Sequence, residues 1–113
     1  MEQKNKDVIQ KFYQEFFNEH IIESADKYVR KDYIQHNPGV GQGREALKEA
    51  FAEKFVEHPE FCLNIKMMIA EKDMVAVYLK NVDQQGNTRC RVVDIYRLED
   101  GKLAEHWDVL QPC

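Results

Sequence analysis

Hydrophobic residues in the first half of the chain recur at the spacing of amphipathic helices. Residues 3–21 carry apolar side chains three and four positions apart, which is the pattern of a helix with one core-facing side. A shorter helix is predicted from Ser24, a residue type favoured at helix N-caps, through Val29. A third helix is predicted over residues 44–57, because Pro59 stops its apolar stripe.

The second half of the chain has the pattern of β-strands. Apolar and polar residues alternate, or short apolar runs are bounded by turn residues. We expect a further short strand near Tyr33 and Ile34. Three helices followed by a meander predict an α+β fold, with the helices packed on one face of a curved antiparallel sheet. The four predicted strands of the meander are residues 61–69, 74–79, 88–98 and 102–110.

Length and charge restrict the classes of protein to which the chain can belong. With 113 residues it is expected to be a single domain, residues 1–113. A net charge of −4 opposes nucleic-acid binding, which needs a basic surface. No apolar run approaches the ~20 residues that span a bilayer, so no membrane partner is expected. The N-terminus lacks the features of a signal peptide, so we expect a cytoplasmic protein.

Asp94 is the residue most suggestive of chemistry. It lies in the middle of the predicted strand 88–98, on the face that also carries Val92, Tyr96 and Leu98. A carboxylate on an apolar face is costly to desolvate unless it is paired. Two interpretations remain open: a functional acid or base, or a structural carboxylate held by a salt bridge or backbone amides.

The predicted final hairpin suggests a partner for Asp94. If Glu99-Asp100-Gly101 forms a three-residue loop, Asp94 lies directly opposite His106 on the returning strand. The two side chains could then form a hydrogen bond and share one proton. A two-residue loop would instead place Trp107 opposite Asp94, so the pairing depends on the turn. His106 could otherwise be an exposed strand residue.

The glycine-rich loop over residues 35–43 does not match a known phosphate-binding motif. Its spacing is neither that of a dinucleotide-binding loop nor that of a P-loop, and ordinary turn chemistry explains its glycines. His36 and Asn37 are better candidates, because polar loop residues ahead of a helix can point into a pocket. The four histidines lack metal-ligand spacing. We therefore expect no metal and no cofactor.

Three stretches of the chain are distinctive: Tyr33-Ile-Gln-His-Asn-Pro-Gly, Gly43-Arg-Glu-Ala-Leu and residues 92–112. They resemble the SnoaL-like family, specifically the branch described as SnoaL-like aldol condensation enzymes. The resemblance implies the cone-shaped nuclear transport factor 2-like (cystatin-like) fold, in which three N-terminal helices pack on a curved antiparallel sheet around one deep pocket. It also implies a homodimer, which is expected as well from the surplus of apolar residues on both faces of the sheet, among them Val93, Ile95, Trp107 and Val109.

The resemblance also implies site residues. In the polyketide cyclases of the wider family an aspartate acts as general acid and base in an aldol closure without a metal, and Asp94 resembles that residue. His106 and His36 lie in the matching motifs and resemble polar groups of the pocket. Relatives often have a histidine on the strand that here contains Tyr78, which can donate a hydrogen bond but does not relay protons near neutral pH.

Two hypotheses of different classes follow. The first is a small cofactor-independent lyase or isomerase in which Asp94 is the general base on a small hydrophobic carbonyl substrate. An epoxide hydrolase-like variant, with Asp94 activating water, is its nearest enzymatic rival. The second is a non-catalytic ligand-binding or dimerisation module. The expected catalytic residues are Asp94 and His106, and the expected pocket residues are His36, Asn37, Tyr78, Tyr96 and Trp107.

Overall fold

Helices cover one face of a five-stranded sheet in the computed structural model, which describes residues 1–111. The α+β class is therefore confirmed. No helix in this range is both long and apolar enough to cross a bilayer. The helices are α1 (Glu2–Phe12), α2 (Ala25–Tyr28) and α3 (Gly43–Glu57). The strands are β1 (Val29–Gln35), β2 (Leu63–Glu71), β3 (Met74–Val82), β4 (Thr88–Glu99) and β5 (Lys102–Leu110).

The first predicted helix changes type along its length. It is α-helical through Phe12 and then π-helical over Tyr13–Asn18. A π-helical turn is wider than an α-helical one, and this one buries Tyr13, Phe16 and Phe17. The predicted range 3–21 is thus right in place, but the helix ends earlier and is not uniform.

The prediction that the Ser24 side chain caps the second helix is wrong. Its hydroxyl donates to the carbonyl of Ile21 at 2.6 Å, and no side-chain hydrogen bond caps α2. The helix is only four residues long. Val29 already has extended backbone, with φ −116° and ψ 134°, so it begins β1 rather than ending α2.

The sheet has the order β1-β5-β4-β3-β2. The antiparallel meander of β2 to β5 is confirmed. β1 is longer than the short strand predicted near Tyr33, and it pairs in parallel with β5. The sheet is therefore mixed rather than wholly antiparallel, and a strand separates α2 from α3 in the element order.

The hairpin between β4 and β5 differs from the predicted three-residue loop. Glu99 pairs with Lys102, so only Asp100 and Gly101 form the turn. Both have positive φ, 53° and 76°, as a type I′ turn requires. Further along, the register shifts at the step from Arg97 to Leu98. Such a β-bulge adds one residue to one strand.

The turn and the bulge together change the partner of Asp94. Asp108 lies directly across from it, and Tyr96 lies across from His106. The predictions of His106 or Trp107 opposite Asp94 are both wrong, because each counted a regular ladder from the turn. His106 is instead the diagonal neighbour of Asp94, two residues from Asp108 and therefore on the same face of β5.

Two cross-strand rows of apolar residues cover the outer face of the sheet, opposite the helices. Each row crosses β2, β3, β4 and β5. Val109 is 68% exposed and Ile69 is 63% exposed. A contiguous apolar patch as exposed as this is unusual on a monomeric protein. The rows are Met67-Tyr78-Val93-Val109 and Ile69-Ala76-Ile95-Trp107.

We propose that a second copy of the chain covers these rows. Val109→Glu should then place a charge in the contact and convert the homodimer into the 13.4 kDa monomer, as measured by sedimentation equilibrium. Val56→Glu is the matched control, because Val56 is also an exposed valine but lies on α3. A wild-type protein that sediments only as monomer at micromolar concentration would contradict this proposal.

Candidate active site

A cavity of about 130 Å³ lies between the helices and the inner face of the sheet. One part of its wall is apolar and aromatic, with Phe12, Phe17, Phe51 and Leu79 among the lining residues. The other part is polar and is built from β1, β4, β5 and the loop after β1. The polar lining residues there are Tyr33, Gln35, Asn37, Asp94, Tyr96, His106 and Asp108.

Asp94 lines this cavity and is only 6% exposed. Its Oδ2 accepts a hydrogen bond from the hydroxyl of Tyr13, and its Oδ1 lies 2.9 Å from Nε2 of His106. No arginine or lysine of residues 1–111 forms a salt bridge with it. Of the two interpretations left open by the sequence, these contacts favour a functional acid or base. Asp94 faces a cavity and is held by polar side chains rather than by a structural arginine.

Gln35 fixes the orientation and protonation of the His106 ring. The backbone N–H of Asn37 donates to Oε1 of Gln35 at 3.0 Å, so this atom is the acceptor oxygen of the amide. Nδ1 of His106 lies 2.7 Å from the same oxygen. Since an amide oxygen only accepts, Nδ1 must carry a proton.

The same reasoning counts the protons between His106 and Asp94. Nε2 of His106 and Oδ1 of Asp94 can form a hydrogen bond only when one proton lies between them. The pair therefore holds one proton, either on the imidazole ring or on the carboxyl group. A group that can carry this proton on either partner is suited to acid–base chemistry in the cavity.

Three tyrosine hydroxyls surround this pair. The Tyr96 and Tyr13 hydroxyls are 2.7 Å apart. Because the Tyr13 proton is donated to Asp94, Tyr96 donates to Tyr13. Burial, followed by the negative charge of Asp94, raises the pKa of Tyr13, Tyr33 and Tyr96 well above the ordinary tyrosine value. All three therefore remain protonated near neutral pH, and each hydroxyl can donate a hydrogen bond.

Asp108 is a site residue that the sequence reasoning missed. It faces the cavity, and its Oδ2 accepts a hydrogen bond from Nδ2 of Asn37 at 2.8 Å. One ligand atom from each of Asp94, His106 and Asp108 lies within 4.8 Å of the others, so these three could hold a metal ion. The sequence did carry a signal, because Asp108 follows His106 by two residues on a predicted strand.

Tyr13, Tyr33 and Gln35 were also missed, for different reasons. Gln35 follows Tyr33 by two residues in β1, so period two could have placed both on one face. Nothing in the sequence distinguishes Tyr13 from the neighbouring aromatic residues of its helix, because the long-range contact to Asp94 depends on how that helix packs.

Asn37 and Tyr96 line the cavity as predicted, but three expected pocket residues lie elsewhere. Tyr78 and Trp107 belong to the apolar rows on the outer face of the sheet. His36 is on the same side, where its ring stacks on Trp107 at 4.8 Å and its Nε2 lies 2.8 Å from Glu105. The prediction that these three residues line the pocket is therefore wrong. Successive residues of a strand point to opposite faces of the sheet, and these three lie on the outer side.

The buried tyrosines predict a loss of stability at alkaline pH. An unfolded tyrosine ionises near its ordinary pKa of about 10, whereas Tyr13, Tyr33 and Tyr96 keep their protons in the folded state. Above pH ~10 the free energy of unfolding should therefore fall by about 1.4 kcal/mol per pH unit for each of them. Urea denaturation at a series of pH values measures this slope. Tyr33→Phe should reduce the slope by the contribution of one tyrosine. An unchanged slope in that variant would contradict the assignment.

Comparisons with known proteins agree with this architecture. The family model for SnoaL-like polyketide cyclase matches residues 7–112. No curated protein sequence matches the chain. The fold is shared with a candidate polyketide cyclase from Acidithiobacillus ferrooxidans, at 21% identity and a TM-score of 0.82, over 96% of this chain and 88% of that one.

Two further solved structures have the same fold. IdmH, a candidate polyketide cyclase from Streptomyces antibioticus, is 20% identical, with a TM-score of 0.77 over 95% of this chain and 91% of its own. A nuclear transport factor 2-like protein of unknown function from Mesorhizobium loti is 15% identical, with a TM-score of 0.76 over 97% and 93%. Because the family model covers nearly the whole sequence, the chain belongs to the SnoaL-like polyketide cyclase family, within the nuclear transport factor 2-like fold.

Proposed function

We propose that the protein is a cofactor-independent cyclase or isomerase that forms an enolate from a small hydrophobic carbonyl compound. The observation that carries this proposal is the buried Asp94–His106 pair, which holds one proton and lines a cavity whose other wall is apolar and aromatic. Family membership supports the same kind of reaction.

In the proposed step the carboxylate of Asp94 takes a proton from the carbon next to the substrate carbonyl. The electrons of the broken C–H bond form the C=C bond of the enolate, and the charge moves to the carbonyl oxygen. Tyr33 and Asn37 line the cavity as neutral donors that can stabilise this oxygen. Delivery of this proton from Asp94 to a different carbon of a conjugated enolate gives an isomer. Attack of the enolate carbon on a second carbonyl instead forms the C–C bond of an aldol closure, and the proton on Asp94 goes to the new alkoxide oxygen.

Asp108 is a second candidate for the base. Asp94 already accepts from Tyr13 and His106, whereas the hydrogen bond recorded for Asp108 uses only Oδ2. Asp108→Asn and Asp94→Asn should therefore be compared directly. The variant with the larger loss of proton abstraction identifies the base, and the other carboxylate then has a positioning role.

Asp94→Asn should separate catalysis from folding. An asparagine at this position can accept from Tyr13 through Oδ1 and donate through Nδ2 to Nε2 of a neutral His106, so both hydrogen bonds survive. We expect the free energy of unfolding to change by less than about 1 kcal/mol. Hydrogen–deuterium exchange at the α-carbon of β-tetralone, followed by proton NMR in D₂O, should slow by about 10²–10⁴-fold.

Asp94→Ala is the control for this comparison. It leaves the Tyr13 hydroxyl and the His106 ring without their buried partner, which costs about 1–3 kcal/mol for each unsatisfied group. A loss of roughly 3–5 kcal/mol in Asp94→Asn itself would indicate a structural ion pair instead. It would remove the catalytic role from Asp94.

We also expect the exchange reaction to proceed without a metal. The proposed chemistry uses hydrogen-bond donors on the enolate oxygen, and the Asp94–His106 contact is satisfied by a proton. Incubation with a chelator, followed by dialysis, should leave the rate of α-carbon exchange unchanged. Activity that is lost on chelation and restored by one divalent metal would assign Asp94, His106 and Asp108 as its ligands instead.

The alternative function is non-catalytic binding of a small hydrophobic molecule. The aromatic part of the cavity favours it, because Phe12, Phe17, Phe51 and Phe61 offer apolar surface to any ligand of suitable size. Saturable binding of aryl ketones without accelerated α-carbon exchange in the wild-type protein would support this alternative.

A further inference from the structure

Among the described residues, Lys54 on α3 is the one lysine or arginine that lines the cavity. Its Nζ lies 5.1 Å from the ring centroid of Phe61 and 5.7 Å from that of Phe51. Both rings also line the cavity. Lys54 is exposed to solvent, so its ammonium group lies at the rim while the two rings keep it close to the opening.

Lys54 has no carboxylate partner among residues 1–111. The other lysine of α3, Lys48, forms salt bridges with Glu23 and Asp26, whose carboxylate oxygens each lie 3.1 Å from its Nζ. No comparable salt bridge is formed by Lys54, whose recorded contacts are the two aromatic rings. Its charge is therefore free to pair with a ligand that enters between them.

The rim and the acid–base pair lie at different levels of the sheet. Asp94 is paired with Val77 of β3, and Asn81, four residues further along β3, is paired with Leu63 of β2. A strand advances about 3.3 Å per residue, so these two levels are about 13 Å apart. Phe61, which contacts Lys54, is two residues before Leu63 and belongs to the Asn81 end.

The charges of the two ends are opposite. At the inner end the Asp94–His106 pair has no net charge, because it holds one shared proton. Asp108 also faces this end, so a second anion there would meet its carboxylate. Lys54 offers a positive charge at the rim, and the wall between the ends includes Leu63, Leu79 and Val92. A ligand that matches this arrangement has a neutral carbonyl end, an apolar middle and an anionic outer end.

We infer that the cavity takes elongated hydrophobic keto acids, whose carboxylate pairs with Lys54 while the ketone lies beside Asp94. Lys54 is then a specificity-determining residue for the outer end of the substrate. The orientation of the ketone rests on the proposed function, whereas the contact between the carboxylate and Lys54 can be measured without turnover.

The test compares two probes that differ in one charge, ω-benzoylhexanoate and its methyl ester. NMR titration should show that the wild-type protein binds the acid about fivefold more tightly than the ester. Lys54→Met should abolish this preference by weakening the acid alone. Added salt should also lessen it, because the ion pair is at the solvent-exposed rim.

Lys66→Met is the matched control, since Lys66 is an exposed lysine on β2 that does not line the cavity, and it should retain the preference. Equal binding of acid and ester by the wild-type protein, a preference that survives in Lys54→Met, or no saturable binding of the acid would each overturn the inference.

Asp94→Asn keeps the acid preference but loses α-carbon exchange if both proposals hold. A wild-type protein that prefers the acid without catalysing exchange refutes the proposed function and leaves the role of Lys54 standing.

Discussion

The buried hydrogen-bond chain from Gln35 through His106 and Asp94 to Tyr13 is the constraint on which the site depends. The four residues lie in four different elements, which are β1, β5, β4 and the π-helical turn in that order. A carboxylate this deeply buried is tolerated only when its oxygens are satisfied. The helices must therefore pack where Tyr13 can reach Asp94, and β1 must pair with β5 where Gln35 can reach His106.

The same hydrogen-bond chain holds several polar groups of the cavity in one arrangement. His106 is held on both ring nitrogens, and its ring also stacks on Tyr96 at 4.7 Å. Oε1 of Gln35 is shared between His106 and the backbone N–H of Asn37. Satisfied networks of this kind fix one arrangement of side chains, and a site arranged before the substrate arrives does not need to reorganise during the reaction.

Hydrophobic periodicity was enough to predict the fold class, the meander and the burial of Asp94, because each depends on local alternation of apolar and polar residues. The partner of Asp94 could not be predicted, because one bulge in the β4–β5 hairpin shifts the register without a sequence signal as strong as that of a turn. The pocket roles expected for Tyr78, His36 and Trp107 failed for a related reason. Each is on a predicted strand or beside one, but neither resemblance nor composition states which face it occupies.

The π-helical turn at Tyr13–Asn18 has a consequence for how this protein can change over evolution. A π-helical turn corresponds to an α-helix that has gained one residue, and removal of one residue from it would restore α-helical winding. Everything on the N-terminal side would then rotate by about 100° about the helix axis, since one residue is one step of the 3.6-residue turn. A single-codon deletion in this segment would thus withdraw the Tyr13 hydroxyl from Asp94 while leaving every residue of the sheet in place. Length variation here is a simple genetic route by which the fold can keep its sheet while both the aromatic wall and the chemistry of the cavity change, because Phe12 would rotate together with Tyr13.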